Sequence, residues 1–328
     1  MNKPKVAIVF TGGTISMTVD PRIGAAIPSL SGEQIMSMVT NIDKLADIEV
    51  INFGELPGPH MTPELMMKLK DLVVSLITRD DIEGVVITHG TDSLEETAYF
   101  LDLSIDSKKP IVVVGAMRNS SELGYDGPSN LAAAVCTVIS PLAHDKGVLV
   151  VLNNEVNSAS EVTKTNTLSL GTFKSAYGPL GIIDNDELIL HRHLVHRQYI
   201  ETSKIEESVD LIKAGAGMDS KFINFAVDSN SKGIVIEAMG RGNLPPGMIS
   251  GVEYAIKNNI PVVMVSRCPS GRVLDSYGYP GGGKMLRDLG VILGGELPGH
   301  KARIKLMLAL GQTNDLAKIR DIFESELY

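Results

Sequence analysis

Short apolar runs alternate with stretches of helical periodicity along most of the chain. In the first half, runs rich in β-branched residues predict strands at Val6–Phe10, Ile48–Phe53, Gly84–Thr88, Pro110–Gly115 and Gly147–Leu152. Between them, apolar residues at helical spacing predict helices at Ser31–Val39, Pro63–Thr78, Leu94–Leu103 and Ser129–Ser140. Near-continuous apolar strands that alternate with helices are typical of a mostly parallel sheet covered on both faces.

The alternation breaks after residue 190. Residues 191–215 are polar and mixed, and we interpret them as a connector that contains a short strand or helix. The pattern resumes at Gly233–Met239, Gly251–Lys257, Pro261–Ser266 and Val291–Leu293, followed by the helices Lys301–Leu310 and Asp315–Glu324. We therefore predict an α/β fold with a larger, doubly wound N-terminal domain (residues 1–190) and a smaller α/β C-terminal domain (residues 216–328).

Charge and composition exclude several classes of partner. The 328 residues carry a net charge of −9, and no run of five or more basic residues is present, so we expect no nucleic-acid-binding surface. The apolar runs are too short to cross a membrane or to form the core of a signal peptide. Cys136 and Cys268 both lie in apolar stretches, and we expect both to be buried in a reducing compartment. These features predict a cytoplasmic protein.

The ends of the predicted strands carry polar or flexible loops. In parallel sheets, ligands bind beyond the carboxyl ends of the strands. We expect the loops at this edge to meet in one crevice: Thr11–Thr14, Gly54–His60, Thr88–Ser93, Gly115–Ser120 and Asn153–Thr167.

The first of these loops begins the segment "TGGTISM" at residues 11–17. It fits neither the dinucleotide-binding glycine pattern nor the P-loop. One interpretation is a tight turn capped by a threonine hydroxyl. In the other, Gly12 and Gly13 let the backbone approach a ligand closely, and Thr14 presents a hydroxyl nucleophile.

Two further loops contain residues suited to acid–base chemistry. In "THGTDSLEET", Asp92 can simply cap the following helix, but capping does not explain Thr91 at the same edge as Thr14. In "VTKTNT", Lys164 is either a surface lysine or a base, and a base requires surroundings that favour the neutral amine.

We assign no chemical role to two other motifs. His191, His193 and His196 have metal-like spacing but lie in the connector, so we interpret them as connector residues and expect no metal site. The segment "YPGGGKM" at 279–285 lacks P-loop spacing, and we interpret it as a flexible lid or an inter-subunit loop.

Together these segments resemble the bacterial-type asparaginase family, also called the asparaginase–glutaminase family. The matching segments are "TGGTIS", "THGTDSLEETAYFLDL", "GAMR", "DGPSNL", "VTKTNT", "FKS…YGPLG" and "KARIKLMLAL". The resemblance covers essentially the whole chain, and it is closer to the cytoplasmic type than to the periplasmic one.

The resemblance implies an enzyme that hydrolyses L-asparagine to L-aspartate and ammonia without a cofactor. It implies that Thr14 attacks the side-chain amide carbon and becomes acylated. Thr91, with Lys164 as its base and Asp92 behind them, then activates the water that hydrolyses the ester, or activates a water that attacks directly. Asp92 also binds the substrate ammonium, and Ala116 offers its carbonyl to the leaving nitrogen.

The resemblance implies further substrate contacts from backbone loops, at Gly13, Gly58, Pro59, His60, Gly90 and Asn243. Many members carry a serine and a polar residue where this chain has Gly58 and Pro59, and proline offers no N–H group. The preference between asparagine and glutamine therefore stays open. Asn243 matches a position that reaches the active site of a neighbouring subunit, which implies a homodimer or a tetramer.

A tyrosine is missing from the loop that follows the first motif. In much of the family this tyrosine activates the nucleophile, but "SMTVDPRIGAAIPSLSG" contains none, and Ala26 stands in its place. Either Tyr277 or Tyr279 takes this role, or Thr14 depends on loop closure and the Thr91 triad alone. We favour the first interpretation.

Other functions compatible with the resemblance are a mixed glutaminase–asparaginase, the amidase subunit of a tRNA-dependent amidotransferase, and a non-catalytic amino-acid sensor. The amidotransferase subunit has an extra N-terminal domain, which we do not expect before a first motif that starts at Thr11. The residues Thr14, Thr91, Asp92 and Lys164 are all present, which argues against a sensor.

Overall fold

Two compact units divide the chain, one up to residue 199 and one from residue 200. The structure, a computed structural model, describes residues 3–325. The N-terminal unit contains an eight-stranded, mostly parallel sheet, and the C-terminal unit contains a separate four-stranded parallel sheet. The predicted fold class, a larger doubly wound α/β domain followed by a smaller α/β domain, is confirmed.

The N-terminal unit alternates strands and helices as the sequence predicts, with additional short strands. Its strands are β1 Lys5–Gly12, β2 Met17–Asp20, β3 Ala25–Pro28, β4 Asp47–Leu56, β5 Gly84–Thr88, β6 Ile111–Val114, β7 Val148–Leu152, β8 Glu155–Ser158, β9 Val162–Lys164, β10 Phe173–Ser175, β11 Gly181–Asp184 and β12 Glu187–Leu190. Its α-helices are α1 Gly32–Ser37, α2 Ile42–Leu45, α3 Pro63–Ile77, α4 Leu94–Ser104 and α5 Gly127–Ile139.

The C-terminal unit starts its sheet inside the predicted connector, at β13. Its strands are β13 Val209–Lys213, β14 Gly233–Ala238, β15 Val262–Ser266 and β16 Ile292–Leu293. Its α-helices are α6 Lys221–Asp228, α7 Ile249–Lys257, α8 Gly283–Leu289, α9 Gly299–Gln312 and α10 Leu316–Glu324.

The strand order of the large sheet is β12-β11-β8-β7-β6-β5-β1-β4. The five strands from β7 to β4 run parallel, whereas β8, β11 and β12 extend the sheet by antiparallel pairing. The register aligns the carboxyl ends, because Phe10 pairs with Thr88, and Thr88 pairs with Val114. The loops that follow β1, β5 and β6 therefore leave the sheet side by side.

Helices cover both faces of the parallel strands. Val86 and Val112 lie in one apolar cluster with Leu131 of α5, whereas α3 and α4 contact the same strands. Neighbouring residues that point to the other face, such as Ile87, are buried equally. Burial of each such side chain contributes about 1.5–3 kcal/mol. This two-sided burial explains why the strands are apolar throughout rather than alternating.

One sequence expectation about the core is wrong. Cys136 is buried in α5, but Cys268 is exposed. The apolar strand β15 ends at Ser266, and the hydroxyl of that serine accepts the N–H of Cys268 in the turn that follows. Cys268 therefore lies beyond the buried part of its apolar stretch.

Within residues 3–325, no helix combines the length and the apolar character that a membrane span requires.

Candidate active site

The loop after β1 is a tight turn built on two glycines. Gly12 and Gly13 have φ values of 110° and 85°, in the left-handed region that favours glycine. The N–H of Gly13 donates to the Leu56 carbonyl at 2.9 Å, which fixes the turn to the end of β4. Residues Thr14–Ser16 then form one 3₁₀ turn, and Ser16 bonds back to the Gly13 carbonyl. The backbone hydrogen bonds thus hold Thr14 in a defined place at the carboxyl edge of the sheet.

The two threonines of the segment, Thr11 near the end of β1 and Thr14 in the 3₁₀ turn, have different surroundings. The Thr11 hydroxyl is buried and donates to the Thr88 carbonyl at 2.7 Å, so it ties β1 to β5. The Thr14 side chain is only partly buried. Its hydroxyl has no hydrogen-bond partner in the part of the chain that the structure describes. Thr14 is therefore the threonine of this loop that is free to react.

Three loops meet through glycines. A Cβ atom at Gly13 would lie 2.4 Å from the Gly90 nitrogen, and one at Gly90 would lie 2.5 Å from the Gly58 nitrogen. No side chain fits at such distances, so the loops after β1, β4 and β5 can touch only because these positions are glycine. The contact brings the backbone of Thr14 close to that of Thr91. Ser93 adds to the contact by donating to the Gly58 carbonyl at 2.5 Å.

The turn that carries Thr91 and the end of β9, which carries Lys164, meet in a charged hydrogen-bonded group. Lys164 Nζ donates to Thr91 Oγ1 at 3.0 Å and to Asp92 Oδ1 at 2.7 Å. Thr91 is buried, the Lys164 side chain is 17% exposed, and the Asp92 side chain is 64% exposed. The hydroxyl and the ammonium are thus shielded, whereas the carboxylate remains accessible to a small ligand.

The main chain of Lys164 is held by Glu95, a residue to which the sequence motifs assign no role in the site. Glu95 lies in the first turn of α4 and is buried, and its Oε1 accepts the N–H of Lys164 at 2.9 Å. On the other side, β9 pairs with β10, which places Lys164 opposite Phe173. In the sequence, the one signal for this role is an acidic residue four positions after Thr91. Its partner Lys164 lies 69 positions further on, so the sequence does not reveal the contact.

His89 is a buried and neutral neighbour of this group. The backbone N–H of His89 donates to the Val114 carbonyl at 2.8 Å, and the ring nitrogen Nδ1 lies 2.9 Å from the Gly90 carbonyl. Burial lowers the pKa of His89 to about 4, so near pH 7 the ring is neutral and Nδ1 carries the donated proton. His89 thus shapes the turn before Thr91 without adding charge.

The loop after β6 is fixed by a buried carboxylate. Asp126 accepts the N–H groups of Met117 and Arg118 at 2.9–3.1 Å. Ala116 itself is fully buried, and within residues 3–325 its carbonyl has no hydrogen-bond partner. That carbonyl is therefore a buried acceptor whose hydrogen-bonding capacity is unused in the described part of the chain.

The loop after β4 carries the predicted substrate residues Gly58, Pro59 and His60 in one 3₁₀ turn. Gly58 is buried, and the other two residues are exposed. The N–H of His60 donates to the Pro57 carbonyl at 2.9 Å, so the turn itself uses this group. The roles of these residues in substrate binding stay predictions.

Three predicted site residues belong to the C-terminal unit. Asn243 donates its N–H to the Met239 carbonyl at 3.0 Å. The rings of Tyr277 and Tyr279 have their centroids 5.6 Å apart, and both side chains are exposed. Their roles stay predictions. Ala26 lies exposed in β3, which forms a hairpin with β2.

The histidines 191, 193 and 196 lie in the segment between β12 and β13. No group of three or more His, Cys, Asp or Glu side chains placed to hold a metal occurs within residues 3–325.

The fold and the site define a two-unit α/β amidohydrolase in which the turn before a threonine with an unbonded hydroxyl contacts the turn of a threonine–lysine–aspartate group. Family models match both units: "Asparaginase, N-terminal" matches residues 5–196, and "Glutaminase/Asparaginase C-terminal domain" matches residues 208–323. The chain belongs to the asparaginase family.

Individual relatives are similar to this chain over nearly its full length. An L-asparaginase of Bacillus licheniformis is 36% identical over 94% of this chain and 96% of its own. A probable periplasmic L-asparaginase of Haemophilus influenzae is 34% identical over 98% of this chain and 93% of its own. Among solved structures, a probable cytoplasmic L-asparaginase of Campylobacter jejuni is similar with a TM-score of 0.88 and 33% identity, over 98% of this chain and 99% of that one.

Proposed function

We propose that this protein hydrolyses the side-chain amide of L-asparagine, with Thr14 as the nucleophile. The observation that carries the proposal is the contact of Lys164 Nζ with both Thr91 and Asp92, beside the glycine contact that brings the Thr14 loop to the same edge. A hydroxyl becomes a competent nucleophile only where a positioned group takes its proton. The hydrogen-bonded group of Lys164 and Asp92 provides such a path for the Thr91 hydroxyl, whereas the Thr14 hydroxyl gives its proton to the leaving nitrogen.

In the proposed reaction, Thr14 Oγ1 bonds to the amide carbon and the C–N bond breaks. The leaving nitrogen departs as ammonia with the proton that the hydroxyl gives up. Water then cleaves the ester, which restores the Thr14 hydroxyl and releases L-aspartate. We assign activation of this water to Thr91. In this step Lys164 acts as the neutral amine, which accepts the proton of the Thr91 hydroxyl and then returns it.

The surroundings support a way to hold the substrate. The exposed Asp92 carboxylate suits the α-ammonium group, since a charge-assisted hydrogen bond is stronger than a neutral one. The free carbonyl of Ala116 suits the amide nitrogen. We assign the α-carboxylate to the backbone of the turn at Gly58, where the amide groups rather than side chains face the neighbouring loops.

Glutamine is the nearest competing substrate. It is one methylene longer, and a difference of this size changes selectivity by about 1–3 kcal/mol. The turn at Gly58 and Pro59, which departs from the family pattern, is where we expect that difference to be decided.

The test is ammonia release from L-asparagine, D-asparagine and L-glutamine, measured side by side with the unmodified protein. We expect L-asparagine to give the highest kcat/KM. Comparable values for L-glutamine would identify a mixed glutaminase–asparaginase. L-Asparagine binding in calorimetry without ammonia release would instead identify an amino-acid sensor and contradict the proposal.

We further propose that the protein is cytoplasmic and forms a homodimer or a tetramer. The short apolar runs and the name of the Campylobacter jejuni protein support the compartment, although the Haemophilus influenzae relative is named periplasmic. Light scattering after size-exclusion chromatography tests the assembly, and a monomeric mass would contradict it.

A further inference from the structure

A phenol from a distant part of the sequence holds the turn that carries Thr14. Tyr125 Oη donates to the Ile15 carbonyl at 2.5 Å. Ile15 is fully buried and is the middle residue of the 3₁₀ turn Thr14–Ser16. Tyr125 is partly buried, and burial raises the pKa of its hydroxyl above the ordinary value, so the group stays a protonated donor. The carbonyl directly after Thr14 is thereby fixed to another loop.

The residues next to Tyr125 fix the loop of Ala116. The Asp126 carboxylate accepts two backbone N–H groups from residues 117–118, and it also accepts Asn130 Nδ2 at 2.9 Å. The same Asn130 amide donates to the Gly115 carbonyl at 3.0 Å. The start of α5 therefore bonds to both sides of Ala116 as well as to the turn of Thr14.

The position of the Tyr125 ring depends on Gly127. A Cβ atom at Gly127 would lie 2.4 Å from Tyr125 Oη and from Cζ of the ring. Because the phenol ring is rigid, an alanine there requires the whole ring to move. Any such movement takes the hydroxyl away from the Ile15 carbonyl.

A second contact joins the same two segments. Ser120 donates both its N–H and its hydroxyl to the Met17 carbonyl, at 3.1 Å and 2.9 Å. Residues 120–125 thus donate hydrogen bonds to two carbonyls in this region, that of Ile15 within the turn and that of Met17 directly after it. Of these bonds, the one from Tyr125 is to a residue of the turn itself.

We propose that Tyr125 is a positioning residue, which through the Ile15 carbonyl sets Thr14 at a fixed place relative to the Ala116 loop. This inference rests on the proposed function, since it treats Thr14 as the nucleophile. Tyr125 Oη bonds to the backbone and not to the Thr14 hydroxyl, so Tyr125 takes no part in proton transfer.

The expected effect is on the chemical step. A displacement of about 1 Å between reacting groups lowers a rate by up to about a hundredfold. The groups assigned to substrate binding, Asp92 and Gly58, lie on other loops and keep their own contacts. Loss of the Tyr125 hydroxyl should therefore lower kcat and change KM little.

The experiment compares Tyr125→Phe with Tyr254→Phe for turnover of L-asparagine. Tyr254 is a matched control, because its hydroxyl also makes one hydrogen bond, to Asp228 at 2.9 Å, in the C-terminal unit. We expect kcat to fall at least about tenfold in Tyr125→Phe, with KM within about threefold of the unmodified value. We expect both parameters of Tyr254→Phe to stay within about twofold.

A second variant, Gly127→Ala, removes the same hydrogen bond by displacing the Tyr125 ring. It provides the test if Tyr125→Phe does not fold. Its kcat should fall to a similar extent. Because both changes remove one bond, the double variant should be no slower than the slower single variant by more than about threefold.

The outcomes separate the two proposals. An unmodified protein that releases no ammonia from L-asparagine overturns the proposed function, and this inference with it. An active unmodified protein whose Tyr125→Phe variant keeps its kcat overturns the positioning role alone. A change confined to KM, or an equal loss of kcat in Tyr254→Phe, also overturns that role.

Discussion

Lys164 Nζ lies 3.0 Å from the hydroxyl oxygen of Thr91, although the two residues are separated by 73 positions in the sequence. The contact depends on two different supports. Thr91 follows the buried strand β5, whereas Lys164 ends the short strand β9 and is held at its N–H by Glu95. Thr91 is therefore placed by the end of β5 and Lys164 by the bond from its N–H to Glu95, so each partner can be tested separately.

The first prediction concerns Lys164 itself. Lys164→Met should lower kcat by about 10²–10⁴, the usual contribution of a positioned acid–base group. Asp92 loses its ion pair, but its carboxylate is 64% exposed, so the free energy of unfolding should change by less than about 1 kcal/mol. Steady-state kinetics and urea unfolding measure the two effects.

Lys174→Met is the matched control for that variant. Lys174 lies on the paired strand β10, is more exposed, and makes one ion pair with Glu155 at 2.6 Å. We expect its kcat to stay within about twofold. Equal losses in the two variants would show that the effect of Lys164 is not specific to its contact with Thr91.

The second prediction concerns the glycine contact. Gly13→Ala should lower kcat at least about tenfold, because the new methyl group must displace the turn before Thr91. Gly178 has a similar φ of 80°, but a Cβ there meets no atom within 4 Å. Gly178→Ala should therefore show only the cost of backbone strain, about 1–2 kcal/mol of stability, with kcat unchanged.

Urea unfolding and ammonia release, measured on both alanine variants, separate the effect of backbone strain from the effect of the steric contact between residue 13 and Gly90. If Gly178→Ala lost as much activity as Gly13→Ala, positive φ rather than the contact with Gly90 would explain the loss.

The third prediction concerns pH and His89. The pKa of the ring falls from 6.5 to about 4 on folding. As the pH falls below 6.5, the ring takes up a proton in the unfolded chain but not in the folded protein. The free energy of unfolding therefore decreases between pH 6.5 and about pH 4, and it is unaffected above that range. His89→Asn keeps a donor near Nδ1 but cannot titrate, so it should remove about 2 kcal/mol of the stability difference between pH 7 and pH 5.

Urea unfolding at the two pH values, on the unmodified protein and on His89→Asn, measures that difference directly. The same pH dependence in both proteins would mean that His89 titrates in the folded state as it does in the unfolded chain.

Much of the fold follows from the sequence, because burial on both faces makes the central strands continuously apolar. The strand Gly84–Thr88 begins and ends where the pattern predicts, and α3 starts at the predicted proline. The strands β8 to β12 were not predicted, since they are short, partly exposed and stabilised by pairing with a sheet edge. No local pattern encodes such pairing.

The site shows the same division. The loops of Thr14 and Thr91 follow strong strand signals, so their place at one edge was predictable. The bonds from Glu95 to Lys164 and from Tyr125 to Ile15 join residues more than 60 positions apart. Only the folded chain shows that these side chains, which have no chemical signature of their own, hold the segments that carry Thr14 and Lys164.

The most direct test of Thr14 as nucleophile is the initial rate of ammonia release from L-asparagine by Thr14→Val and Thr11→Val. Each change replaces a threonine of the same loop with an isosteric residue that lacks the hydroxyl. Thr11 uses its hydroxyl to bond the Thr88 carbonyl, so Thr11→Val should lose stability but retain a kcat within about tenfold. Thr14→Val should lose at least about a thousandfold. A Thr14→Val variant that keeps more than about a tenth of the unmodified rate would contradict the nucleophilic role of Thr14.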